Sequence, residues 1–186
     1  MTDNSAPKKA TQILDPNPAR RKKLVEKLQM YFNDKISLSE LKGIPREKLF
    51  LLAETGQVKL KHGRLEEAEE IFKCLLLLDH RNAYVHSAMA SVHQRQNRPV
   101  EAIFEYTQAL TLNQKDCASF VNRGEIYLRH KNYKKAAEDF RNAILIDMSG
   151  RNLWANRARS LVIALKRSMD ADRAKPPAPR RTVAMA

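Results

Sequence analysis

Glycine and cysteine are both scarce in this chain, and each scarcity excludes a class of fold. Five glycines among 186 residues, against 43% apolar residues, are too few for the many tight turns of a β sandwich or barrel, so the composition favours helices. The two cysteines, Cys74 and Cys117, are too few and too far apart for a disulfide framework or a zinc site. A reducing cytoplasm is therefore the expected location.

Long apolar runs are missing as well. None approaches the 18 or so residues that a membrane-spanning helix needs. The N-terminal stretch has no apolar core that could act as a secretory signal. The chain is long enough to bury a core of its own, so we expect a soluble protein with one folded unit and appended ends, and no membrane insertion.

The net charge of +13 is unevenly distributed along the chain. Residues 1–48 carry +5, residues 49–150 only +1, and residues 151–186 carry +7. A nucleic-acid platform needs a basic stripe on the folded part of a protein. The excess charge lies instead in the flanks, where solvated basic ends explain it, and no nucleic-acid partner is expected.

Patterns for catalysis are absent too. The sequence contains no Gly-rich phosphate loop, nucleophile elbow or convincing pair of catalytic acids. His86 and His93 lie seven residues apart on one predicted helix, about 10 Å along its axis, too far to share a metal ion without another element. The acidic run Glu66–Glu70 is interpreted as a solvated helix face. We therefore expect no enzyme, no cofactor and no metal site.

A 34-residue repeat is the strongest feature that is present. Three alanines each precede an aromatic residue by four positions. Small residues lie twelve positions before each alanine, apolar residues lie seven and ten positions after it, and Asp or Asn follows at eleven. In chain order, these columns are Gly56, Ala90 and Gly124; Ala68, Ala102 and Ala136; Phe72, Tyr106 and Phe140; Leu75, Ala109 and Ala143; Leu78, Leu112 and Ile146; and Asp79, Asn113 and Asp147.

This period and pattern resemble the tetratricopeptide repeat, a pair of antiparallel helices. The apolar run Leu75–Leu78 is long enough for a buried strand, but it follows Glu, Ala and Lys residues that favour helix. It is therefore predicted to end the second helix of a repeat. The predicted fold is all-α: three tandem tetratricopeptide repeats forming a helix-turn-helix solenoid, with N-terminal helices and a C-terminal capping helix. The small residues should allow the helices of one repeat to approach closely.

Helix signals set the predicted limits. Pro18, Pro45 and Pro99 fit helix starts, and the sequence SLSE from Ser37 fits a capping box, with Gly43 ending that short turn. The repeat helices are expected between Pro45 and Gly63 and near 65–78, 83–96, 99–112, 117–131 and 133–146. The predicted regions are a disordered N-terminus (1–16), an N-terminal helical region (17–44), the three repeats (45–150), the capping helix (151–172) and a disordered basic tail (173–186).

The resemblance also implies a binding surface. In tetratricopeptide arrays the first helix of each repeat lines a concave groove, and repeat positions 2, 5, 9 and 12 point into it. Counting from Leu49, Ala83 and Cys117, this groove comprises Phe50, Ala53, Gln57 and Leu60; Tyr84, Ser87, Ser91 and Gln94; and Ala118, Val121, Glu125 and Leu128.

Large apolar anchors, small residues and amides together suit an extended peptide better than a small molecule. The alternative is that Phe50 and Tyr84 only pack against a neighbouring helix. Arrays that grip a C-terminal carboxylate place Lys and Asn at positions 5 and 9 of the first repeat. Ala53 and Gln57 occupy these positions here, which disfavours that clamp.

The order of parts is similar to that of one particular group. An N-terminal helix, three repeats, a capping helix and a basic tail resemble the class II chaperones of bacterial type III secretion, over roughly residues 36–168. The residues that carry the resemblance are Gly63, Glu67, Ala68, Phe72, Leu78, Asp79, His80 and Gln94.

This resemblance implies a cytoplasmic chaperone that binds an extended segment of a secreted translocator protein. It also implies a homodimer formed through the N-terminal region, where Leu24, Leu28, Tyr31 and Phe32 give a helix an apolar stripe. The alternative for this stripe is that it covers the open end of repeat one. The first-repeat groove departs from the family, which often has aromatics where Ala53, Gln57 and Leu60 lie. A general scaffold that joins subunits of a larger assembly remains the alternative function.

Overall fold

The computed structural model describes residues 17–174, with side chains through Arg167. The disorder predicted for residues 1–16 and for the end of the tail lies outside this range. The described residues form helices joined by short turns, and none of these helices is both long and apolar enough to cross a bilayer. In chain order the helices are α1 Pro18–Phe32, α2 Leu38–Lys42, α3 Arg46–Lys61, α4 Leu65–Leu78, α5 Ala83–Arg95, α6 Pro99–Leu112, α7 Cys117–Arg129, α8 Tyr133–Ile146 and α9 Leu153–Ala174.

The short helix α2 begins and ends as its sequence predicts. Ser37 Oγ accepts a hydrogen bond from the Glu40 amide at 3.3 Å. In return, the Ser37 amide donates to Glu40 Oε2 at 2.8 Å, which completes the capping box. Gly43 ends the helix in the left-handed conformation, with φ 68°, which glycine adopts without steric cost.

Three hydrophobic cores follow one another along the solenoid. Each contains residues from both helices of a repeat and from the first helix of the next element. The first core joins α3, α4 and α5, the second joins α5, α6 and α7, and the third joins α7, α8 and α9. Ala155 and Ala158 of α9 are fully buried in the third core. The helix α9 therefore occupies the position that the first helix of a fourth repeat would have. This confirms the predicted all-α architecture of three repeats and a capping helix.

The small residues of the repeat lie where the two helices of a repeat meet. A Cβ atom added to Gly56 would lie 2.9 Å from two ring atoms of Phe72. Ala90 is fully buried in one core with Ala102 and Tyr106. A larger side chain at these positions would displace a buried aromatic ring, which is the steric reason for the small columns of the repeat.

The backbone conformation of one turn residue also repeats every 34 residues. Gly63, Asn97 and Lys131 follow the first helix of repeats one, two and three, and all three are left-handed, with φ of 76°, 59° and 58°. The turn geometry is therefore the same in each repeat. Glycine and, less strongly, asparagine favour this conformation, whereas Lys131 adopts it at a steric cost.

Glu69 corrects the interpretation of the acidic run as a solvated face. Its side chain is only 12% exposed, and its carboxylate accepts from Gln96 Nε2 at 2.7 Å and from Arg98 Nη1 at 3.2 Å. Burial raises the pKa of Glu69, but the bonds from Gln96, Lys73 and Arg98 outweigh it and lower the pKa to about 2. The reason is tertiary: the turn between α5 and α6 folds over α4 and supplies the donors.

Candidate peptide-binding groove

A cavity of about 530 Å³ lies at the N-terminal end of the groove, between α2, the start of α3 and the turn that leads into α5. We call it the anchor pocket. Its apolar lining includes Ile44, Leu49, Phe50, Ala53, Tyr84 and Val85, and its polar rim includes Ser37, Ser39, Glu40, Arg46, Arg81 and Asn82.

Phe50 and Tyr84 are the two large apolar side chains at the mouth of the anchor pocket. They are 65% and 51% exposed, so neighbouring helices do not cover them. Ala53 lies at the floor with 6% exposure, and its small side chain leaves the volume open. The surface can therefore take up a bulky apolar group, because two aromatic rings could bury area against it.

Besides Ala53, two predicted groove residues are buried in a core, and these two do not line the anchor pocket, which corrects that part of the prediction. Leu60 is 7% exposed in the first core, and Val121 is fully buried in the third. Leu60 lies at repeat position 12 and Val121 at repeat position 5. These two positions point within about 20° of each other on an α-helix. At Leu60 and Val121 this side of the helix packs into a core, so these two side chains are covered rather than open.

The groove residues of repeat two form a hydrogen-bonded network around Tyr106. The buried Tyr106 hydroxyl donates to Gln94 Oε1 at 2.9 Å and lies 3.0 Å from Ser91 Oγ. Ser87 continues the network, since its carbonyl accepts from Ser91 Oγ at 3.0 Å and its hydroxyl accepts from Ser119 Oγ at 2.9 Å. Burial raises the pKa of Tyr106 to about 12. This phenol therefore stays protonated and holds the Gln94 carboxamide in one orientation.

The remaining groove positions have mixed surroundings. Gln57, Ala118 and Leu128 are partly exposed, and Leu128 packs against the third core. Glu125 accepts two bonds from Arg157 of α9, at 2.5 and 3.0 Å. The capping helix thus neutralises the one carboxylate among the predicted groove residues.

The helix α2 forms one wall of the anchor pocket. Residues of the turn between α4 and α5 fix this wall in place by hydrogen bonds and ion pairs. Arg81 Nη1 donates to the Asp34 carbonyl at 2.9 Å, and its guanidinium lies 3.8 Å from the Glu40 carboxylate. The His80 ring is 2.9 Å from Asp34 Oδ1. His86 in turn holds the His80 carbonyl through Nε2 at 2.9 Å.

This wall was not predicted from the sequence. The missed lining residues include Ser37, Ser39, Ile44, Arg81 and Asn82. All five lie before the first repeat or in the turn between repeats, where the position rule for groove residues does not reach. The capping box at Ser37 was a local signal that this segment is ordered, but nothing local indicated what it faces. Within the described part of the protein, no three His, Cys, Asp or Glu side chains group closely enough to hold a metal ion.

Comparison of sequences supports the repeat assignment. The tetratricopeptide repeat family model matches residues 117–149, which form the third repeat. Human tetratricopeptide repeat protein 6 is 29% identical over 75 residues, or 40% of this chain. The match spans only 14% of that longer protein.

Solved structures extend the likeness to most of the chain. A type III secretion complex from Aeromonas hydrophila covers 77% of this chain and 97% of its own, with 22% identity and a TM-score of 0.70. The Yersinia enterocolitica type III secretion chaperone SycD, in complex with a peptide of the translocator YopD, covers 68% of this chain and 98% of its own, at 19% identity and a TM-score of 0.63. PcrH from Pseudomonas aeruginosa, in complex with the chaperone-binding region of PopD, covers 69% of this chain and 98% of its own, at 20% identity and a TM-score of 0.64.

These likenesses establish the fold. The protein is a tetratricopeptide-repeat solenoid, with the anchor pocket beside the first helices of repeats one and two. Among solved proteins, it has the fold of the translocator chaperones of type III secretion.

Proposed function

We propose that this protein is a cytoplasmic chaperone that binds an extended segment of a secreted, translocator-type protein in its groove and keeps that protein competent for export. The observation that carries the proposal is the anchor pocket, where Phe50 and Tyr84 stay exposed beside about 530 Å³ of open volume. The likeness to SycD and PcrH, both solved with translocator segments, supports this choice of client.

The groove fits an extended client for a physical reason. A peptide backbone that leaves water needs new hydrogen-bond partners, and Gln57, partly exposed on α3, can supply them. A bulky apolar side chain of the client would then enter the anchor pocket between Phe50 and Tyr84. A proline-containing segment would lose less conformational entropy on binding, because it is already extended.

The test is to capture the client through the pocket itself. Replacing Tyr84 with the photo-crosslinking residue p-benzoylphenylalanine in the native cells should link the protein to one secreted protein, whose linked segment mass spectrometry then identifies. Co-expression of that client with and without the chaperone should show that the chaperone keeps it soluble. A client that is already folded and soluble alone would favour the scaffold alternative.

We further propose that α1 mediates self-association. Among the described helices α1 packs only against α2, and none of its residues is buried. Leu28 and Tyr31 are partly covered, whereas Leu24 and Phe32 are 52% and 79% exposed. The stripe therefore does not cover the open end of repeat one, and a second copy of the protein would bury it. SycD, which has the same fold, has been solved as a dimer.

A further inference from the structure

A second cavity, of about 240 Å³, lies where the C-terminal turns of α5 and α7 meet the start of α6. It is lined by Gln94, Asn97, Pro99, Ile126, Arg129 and His130. Gln94 is ten residues after Tyr84 of the anchor pocket on the same helix. At 1.5 Å per residue, the two cavities are therefore about 15 Å apart along α5.

Arg129 and the Gln94 amide supply donors to this cavity, while Asn97 and His130 carry donor and acceptor atoms alike. The buried Tyr106 hydroxyl donates to Gln94 Oε1, so the Nε2 amide is the end of that side chain left for a ligand. Arg129 has only donor groups. No acidic residue lines the cavity, so nothing on its wall neutralises the guanidinium.

We propose that this cavity is a subsite for a carboxylate of the client segment, bound by Arg129 and the Gln94 amide. The carboxylate can belong to an Asp or Glu side chain or to the C-terminus of a polypeptide, since both present the same two oxygens. An extended peptide advances about 3.3 Å per residue, so the acidic group lies roughly five residues from the side chain in the anchor pocket. The identity of the ligand as client rests on the function proposed above.

The position of Arg129 also has a simpler explanation, which involves no ligand. A cation in the last turn of α7 stabilises the helix dipole without any ligand. That effect does not require Gln94 to be oriented by a buried tyrosine, nor a cavity free of acidic residues beside the guanidinium. If Arg129 only stabilises the helix dipole, no carboxylate binds saturably at the cavity. If the cavity is a subsite, a carboxylate binds saturably and its binding depends on Arg129.

The test uses the full-length protein and small probes in place of the client. N-acetylglutamate α-amide presents a side-chain carboxylate, N-acetylalanine presents a C-terminal one, and N-acetylglutamine α-amide is the uncharged control. At constant ionic strength, NMR should show saturable shifts of the Gln94 side-chain amide and the Arg129 Nε–H with a carboxylate probe and none with the uncharged control. The tighter of the two carboxylate probes identifies the source of the group.

Variants make the result specific. Arg129→Gln should weaken carboxylate binding at least fivefold, and Gln94→Glu, which keeps the acceptor for Tyr106, should abolish it by repulsion. Arg141→Gln, at an exposed arginine of α8 outside the cavity, should leave binding unchanged. Equal shifts with the uncharged control, shifts that never saturate, or full binding by Arg129→Gln would overturn the proposal. Because no client is used, such a failure would leave the anchor pocket and the proposed function standing.

Discussion

The ring of Phe140 lies so close to the backbone at Gly124 that an added Cβ atom would be 2.7 Å from its Cε1 and 3.0 Å from its Cδ1. Phe140 is fully buried in the third core, so its ring has no free space to move into. The close approach of α7 and α8 therefore depends on the missing side chain of Gly124.

Gly124→Ala should destabilise the protein by about 1 kcal/mol. Overpacking a buried site costs about 1–3 kcal/mol, and the better helix propensity of alanine returns no more than about 1 kcal/mol of this. Urea denaturation followed by circular dichroism measures the difference. In a Phe140→Leu background the same substitution should cost clearly less, because the ring is gone. An equal cost in both backgrounds would show that the contact is not responsible.

Ala102→Leu should be more harmful than the same change at an exposed alanine. Ala102 is fully buried with Ala90 and Tyr106 in the second core, so the larger side chain should lower the free energy of unfolding by about 1–3 kcal/mol. Ala137→Leu, on the exposed side of α8, should change it by less than about 0.5 kcal/mol. Thermal melts of the two variants compare them directly. A harmless Ala102→Leu would refute the packing described for repeat two.

Stability should fall at alkaline pH through His86. Burial lowers the pKa of His86, but its hydrogen bonds to Glu105 and the His80 carbonyl, with the charges of Glu105 and Asp79, outweigh burial and raise the pKa. The protonated ring donates from Nδ1 to Glu105 Oε2 at 2.6 Å and from Nε2 to the His80 carbonyl. The stabilisation is fully present below the unfolded-state pKa and is lost as pH rises through the raised folded-state pKa.

The measurement is urea denaturation of wild type and His86→Gln between about pH 5.5 and 9, a range that brackets the ordinary pKa of histidine and a raised one. Wild type should be more stable by about 1.5–3 kcal/mol at the acid end, the range of a hydrogen bond to a charged group, and the advantage should shrink as pH rises. Every other ionisable group is common to both proteins, so the difference isolates His86. A difference that stays constant across this range would contradict the prediction.

Phe50→Glu should weaken client binding by about 2 kcal/mol, or roughly thirtyfold. The glutamate would place a charge at the mouth of the anchor pocket, where the client brings an apolar group. Leu60→Glu would not test this, because Leu60 is a core residue. Calorimetry with the client segment measures the affinity. Phe104→Glu is the matched control, since Phe104 is 59% exposed on α6 outside the anchor pocket. Equal affinities of the two variants would place the binding surface elsewhere.

Charges on α1 should abolish self-association. The double substitution Leu24→Glu and Phe32→Glu puts two carboxylates on the exposed stripe and should raise the dimer dissociation constant more than about tenfold, since buried unpaired charges are costly. Light scattering over a range of concentrations measures the mass. Val100→Glu, at another exposed apolar residue, on α6, should leave the dimer intact. A wild-type protein that is monomeric throughout would end the proposal.

The repeat could be derived from the sequence because its signals are local and recur. Each alanine, aromatic and small residue lies at a fixed offset within 34 positions, and a helix converts such offsets directly into faces. The predicted helices at 65–78, 99–112 and 133–146 therefore agree with α4, α6 and α8 to the residue. Proline at helix starts and the capping box at Ser37 are likewise signals between neighbours in the sequence.

The candidate site depended on contacts that no local pattern encodes. Leu60 and Phe50 lie on the same helix and were both predicted to face the groove, yet Leu60 is covered by the next element and Phe50 is not. Burial depends on which helices pack nearby, and those helices come from distant parts of the sequence.

The sequence by itself determined the helices, their period and the small residues at their crossings, because each follows from spacing along one segment. Only the tertiary structure decided which side chains stay open to a ligand. The wall formed by Ser37 to Ile44, the buried Glu69 and the Gln94 amide held by Tyr106 all depend on partners at least 12 residues away. The partners of the wall and of Glu69 meet only after neighbouring elements of the solenoid have stacked, whereas Gln94 and Tyr106 meet when the two helices of repeat two pair.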